Sequence, residues 1–135
     1  MVENEIAQSE HMVSSIVSKL AARGVRRTEL TLSELGYENN EENTDLFIDA
    51  VKWLESEGII RSGEKYDFYA NSKNETVASG FTVTSFGFAL LQQPFDGNLT
   101  LGAAIEKVRS DGSGYSKIGD LVGGLLGGFT KTISN

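Results

Sequence analysis

The chain has 135 residues, 39% of them apolar, with 12 basic against 19 acidic side chains, a net charge of −7 and no cysteine. That size and apolar content suffice for one compact core with an appendage rather than two separate domains. The negative charge disfavours bulk attraction to nucleic acid or an anionic membrane surface and favours basic or neutral partners, while the missing cysteine excludes disulfides, thiolate metal sites and a cysteine nucleophile.

The start of the chain, Met1-Val2-Glu3-Asn4-Glu5-Ile6, is acidic and lacks the basic start and apolar run of an export signal, so a non-exported, cytoplasmic protein is expected. Ile6, Met12, Val13, Ile16, Val17 and Leu20 recur at helical spacing and predict a helix over residues 3–22, ended by Gly24. Arg23, Arg26 and Arg27 follow, then a short extended stretch over residues 28–32. Ser33-Glu34-Leu35 reads as one helical turn stopped by Gly36, and residues 37–43 as a polar loop. A second helix is predicted over residues 43–57, closed by Gly58. Its Leu46, Phe47, Ala50, Val51, Trp53 and Leu54 span an apolar arc of roughly 160°, wide enough to be packed from more than one side.

Residues 59–61 then enter a strand, Ser62-Gly63 reads as a turn, and residues 66–70 alternate as a strand should. Residues 71–75 form a polar hairpin tip, and Val77, Phe81 and Val83 are expected to share one face of the return strand. Thr84 stands where it can cap a helix running to Leu91 and ended by Pro94. The segment Glu-Ser-Glu-Gly-Ile-Ile-Arg (55–61) followed by Val-Thr-Ser-Phe-Gly-Phe-Ala-Leu-Leu (83–91) resembles the signature of bacterial winged-helix domains: helix, glycine, strand hairpin, capped helix. The resemblance covers residues 3–91 and implies an α+β fold, a winged-helix-like core of three helices with a long β-hairpin wing. Its family hosts DNA readers, dimerisation modules and protein-binding adaptors alike, so it implies a fold before it implies a function.

Residues 94–98 read as a linker, which divides the chain into a winged-helix-like domain (1–93) and a C-terminal helical extension (94–135). Leu101, Ala104, Ile105 and Val108 predict a short amphipathic helix stopping at residues 111–114. A last helix is predicted from about Tyr115, its Ile118, Leu121, Val122, Leu125, Leu126, Phe129 and Ile133 on an arc of about 140°. The glycine-rich stretch is no phosphate loop, because Phe129-Thr130 separates Lys131 from the last glycine. Gly119, Gly123 and Gly127 instead match small-residue helix packing. Each helical glycine costs about 1 kcal/mol against alanine, so this helix is expected to form only when docked, within the chain or on another molecule. Leu121, Val122, Leu125, Phe129, Gly123 and Gly127 are the partner-binding candidates.

Little in the sequence supports catalysis. His11 is the sole histidine, so a His-based metal site or a Ser–His pair lacks its second member. Glu38, Glu41, Glu42 and Asp45 crowd a polar loop without the order of a calcium loop and read as a solvated acidic patch. No nucleophile, base and orienting group can be named together, and no catalytic residue, cofactor, metal or small-molecule substrate is expected. No apolar stretch reaches the length of about 20 residues needed to cross a bilayer. On the second helix, Asp45, Asp49 and Glu55 against Lys52 make the supposed recognition face repel phosphate. Arg23, Arg26, Arg27, Arg61, Lys65 and Lys73 are the candidate nucleic-acid contacts, if they gather into one strip rather than scatter. The expectation is a small acidic non-enzymatic module that binds a protein partner or itself; the alternative is a sequence-specific DNA-binding regulator.

Overall fold

Met12, Val13, Ile16, Val17 and Leu20 form the buried stripe of α1 (Glu5–Ala21), whose apolar periodicity is what drives it to fold against the rest of the chain. The computed structural model describes residues 5–63, 65, 67–96 and 99–111. After α1 come β1 (Thr28–Leu30) and a tight turn in which the Tyr37 N–H donates to the Leu32 carbonyl at 2.9 Å. Then α2 (Glu41–Ser56) begins two residues before its predicted start, because the Asn40 side chain accepts from the Asn43 N–H at 2.8 Å and caps it. Phe47, Ala50, Val51 and Leu54 are its buried residues, with Leu46 and Trp53 half-buried at the flanks of the arc.

The strands β2 (Ile60–Ser62), β3 (Phe68–Ala70) and β4 (Thr76–Val83) follow, then α3 (Ser85–Leu91). Thr84 caps α3 as expected, accepting from the Gly87 N–H at 2.9 Å, and its own N–H donates to the Ile59 carbonyl at 2.9 Å. Residues 94–96, within the expected linker, form β5 (Pro94–Asp96), which pairs antiparallel with β6 (Leu99–Thr100). It leads into α4 (Leu101–Asp111). The described residues thus form an α+β fold of four helices and a four-stranded antiparallel sheet, with that two-stranded sheet beside it.

In the larger sheet β4 is central, with β1 on one edge and β2 and β3 in succession on the other. Thr28 pairs with Phe81 but Leu30 pairs with Ala78, so β4 uses one residue more than β1 between the same two rungs. Gly80, at φ +68°, supplies that bulge, a conformation that side chains with a Cβ resist. The consequence corrects the expected facing: Ala78, Phe81 and Val83 join the core, and Val77 is buried apart from it. A strict alternation of period two would have put Val77 with Phe81. The aromatic centre is Phe68, its ring 6.5 Å from Phe47 and 6.4 Å from Phe81. Packed against α1, α4 buries Leu101, Ala104 and Ile105 in the same cluster as α1 and α2, and the Ser18 hydroxyl donates to the Glu106 carboxylate.

Candidate functional site

Between the first half of α1, Tyr37 and the first half of α2 lies a partly open groove of about 530 Å³. Gln8, Ser9 and His11 line it from α1, and Glu42, Asn43, Leu46 and Asp49 from α2. The α2 residues fall at spacings of three and four, which places them on one helical face. Tyr37 closes one side, fixed by a hydrogen bond between its hydroxyl and His11 Nδ1 and by an edge-to-face contact with ring centroids 5.6 Å apart. Either group can donate, depending on the imidazole tautomer. Behind Tyr37, the Asn43 amide donates to the Glu38 carbonyl at 2.9 Å and holds the loop against the start of α2. The Ser9 hydroxyl donates to the Glu5 carbonyl at 2.8 Å.

Among the described residues, three carboxylates, Glu5, Glu42 and Asp49, and no Lys or Arg stand in this lining. All three are exposed at the rim, while Leu46 and Tyr37 are half-buried and give it an apolar wall. Glu41 and Glu42 in the first turn of α2 also suit the positive end of that helix, which stabilises the helix regardless of any ligand. Chemically the groove can accept hydrogen bonds and positive charge at its rim and aliphatic contact within. Those are the requirements of a Lys or Arg side chain, whose stem is apolar and whose tip is cationic.

Near the other end of α2, Glu55 meets Asp67. Partial burial, a hydrogen bond with the Asp67 carboxyl and the charge of that neighbour raise the Glu55 pKa above its ordinary value; the Ser62 backbone works in the opposite direction. At the hairpin tip, Glu75 is held below the ordinary value by hydrogen bonds from Ser33 and Asn71, with a smaller contribution from the charge of Lys73. Asn71 Oδ1 also accepts from the N–H groups of Lys73 and Glu75, at 3.0 and 2.9 Å, which ties the tip into a defined turn.

The basic residues singled out in the sequence divide among three places. Arg23 and Arg26 are exposed in the turn after α1. Arg61 pairs with Thr82, and the Thr28–Phe81 pair sets Arg27 beside Thr82 on the opposite edge. The two arginines therefore flank one rung of the sheet, and the Arg27 Cδ lies only 3.0 Å from where a Cβ on Gly63 would stand. Lys65 lies two residues beyond Gly63, whereas Lys73 sits at the hairpin tip with Glu75, about 20 Å away along β4 at the rise of a strand. On α2, Asp45, Asp49 and Lys52 are exposed. The partner-binding candidates Leu121, Val122, Gly123, Leu125, Gly127 and Phe129 lie outside the described residues.

Sequence reading overlooked the groove because its parts are far apart along the chain: His11 and Tyr37 are separated by 26 positions. The one available signal was Tyr37 itself, a lone aromatic heading a polar loop. Among the described residues no three His, Asp or Glu side chains are placed to hold a metal ion, and no helix is long and apolar enough to cross a membrane. Comparison of the chain with protein-family models, with curated proteins and with solved structures finds no match.

Proposed function

We propose that this chain is a non-enzymatic binding module with a winged-helix-like fold, working in the cytoplasm, whose α1–α2 groove takes a basic segment of a protein partner. The fold reading is supported by the element order, helix, strand, turn, helix and long hairpin, and by a first strand that pairs with the returning arm of that hairpin. The binding reading is carried by one observation: a groove of about 530 Å³ whose lining, among the described residues, holds three carboxylates and no cation, walled by Tyr37 and Leu46. A volume of that order is typical of ligand-binding clefts, roughly 300 to 1,000 Å³. Calorimetric titration with a Lys/Arg-rich peptide and with its Glu/Asp counterpart tests it. Only the basic peptide should bind, and Glu42→Gln with Asp49→Asn should weaken it at least tenfold. Equal binding of both peptides, or of neither, would overturn the reading.

A second reading, DNA binding, is favoured by the Arg27–Thr82–Arg61 rung. Two arginines on either side of β4 suit contact with phosphates. Against it stands the acidic exposed face of α2. A gel shift repeated across salt concentrations distinguishes the two, because phosphate contacts lose affinity steeply as salt rises.

A further inference from the structure

We infer that the partner segment received by the groove is the basic turn of a second copy of this chain, residues 22–27, so that copies join end to end. The inference rests on the groove reading above and narrows it. Among the residues whose side chains are described, two large apolar ones are exposed, Val25 at 86% and Tyr69 at 45%. Tyr69 is accounted for, since its hydroxyl donates to Glu29 across the sheet. Val25 is not: it stands at the tip of the turn after α1, between the exposed Arg23 and Arg26. An apolar tip flanked by two cations is the complement of an apolar wall rimmed by Glu5, Glu42 and Asp49.

The two features cannot meet within one molecule. The groove opens beside the first half of α1 and the turn follows its last residue, roughly 20 Å further along a continuous helix at 1.5 Å per residue. Each copy thus carries one turn and one groove at separate places along α1, so a contact of turn with groove joins two different patches; made in one direction it is heterologous and able to propagate into a ring or a chain of copies. The net charge of −7 opposes the approach of whole molecules. At physiological salt that long-range repulsion is screened beyond about 8 Å, whereas charge pairs made inside a groove are screened much less.

Sedimentation velocity of the full chain over a range of concentrations tests the inference. The unmodified protein should grow in mass with concentration. Two variants should each lose this by at least tenfold in Kd: Arg23→Ser with Arg26→Ser, which spoils the turn, and Glu42→Gln with Asp49→Asn, which spoils the groove. Mixed in equal amounts they should form a dimer and nothing larger, because each retains the half that the other lacks. Val25→Ser, which changes no charge, should also weaken association, and circular dichroism of each variant checks that it is folded. A monomer at all concentrations, or folded variants that associate as the unmodified chain does, or a mixture that stays monomeric, overturns self-association. In any of those cases, binding of the Lys/Arg-rich peptide shows whether the groove reading survives.

Discussion

Leu54 is 0% exposed on α2, surrounded by the main core cluster, so Leu54→Ala should destabilise the fold by about 2 to 5 kcal/mol, measured by urea denaturation. A loss below about 0.5 kcal/mol, as for surface changes, would contradict that burial. The next residue, Glu55, shows how position alters chemistry. Its pKa is raised by partial burial and by Asp67, so the native state binds its proton more readily than the unfolded chain does. Stability drawn from this group is therefore present at low pH and is lost as pH rises from the ordinary glutamate value, 4.5, through the raised native one. Glu55→Gln, which cannot ionise, should gain stability relative to the unmodified protein as pH increases from 4 to 7. Denaturation curves at both ends of that range check the sign; a gap that closes with rising pH would contradict it.

At the scale of elements, the junction of α2, β4 and α3 is set by close backbone approach. A Cβ on Gly87 would fall within 2.7 Å of Val83 Cγ1 and nearer still to the Ile59 carbonyl oxygen. Only a residue without a side chain lets the first turn of α3 sit there while Thr84 binds back to residue 59. Gly87→Ala should consequently cost about 1 to 3 kcal/mol through overpacking, although alanine is the better helix former by about 1 kcal/mol. Thermal unfolding reads the net effect, and a variant as stable as the unmodified chain would mean that the contact yields freely. The bulge at Gly80 acts on the neighbouring element in a different way. It moves Ala78 into the core and Val77 out of it, and so decides which residues of β4 enter the cluster that holds Phe47 and Leu54.

For the whole molecule the arrangement of charge matters more than its total. Carboxylates gather at the groove and along the exposed side of α2, while Arg23, Arg26, Arg27 and Arg61 lie at the turn after α1 and at one rung of the sheet. Reversing Asp45 and Asp49 to Lys removes part of the acidic screen from α2 and should raise nonspecific affinity for duplex DNA, with a steeper dependence on salt. Fluorescence anisotropy with a labelled duplex measures both. Tight, specific binding by the unmodified protein at physiological salt, abolished by those reversals, would make the acidic helix itself the reading element and reverse the order of the two functional proposals.

Elements built from local periodicity and caps were legible in the residues alone. The stripe of α1, the apolar arc of α2, the Thr84 cap and the amphipathic start of α4 each depend on neighbours within a few positions, where helical spacing and capping chemistry act. Charge and the absence of cysteine likewise narrowed the chemistry before any fold was known. What the tertiary structure decided depends on residues distant in sequence. The bulge that exchanges Val77 for Ala78 is a matter of register between β1 and β4, and residues 94–96, expected within a linker, pair as a strand with residues 99–100. His11 meets Tyr37, Glu55 meets Asp67 and Arg27 reaches Gly63 only because helices and strands pack in particular orientations. A groove is a space between elements, and spacing along the chain carries no record of it.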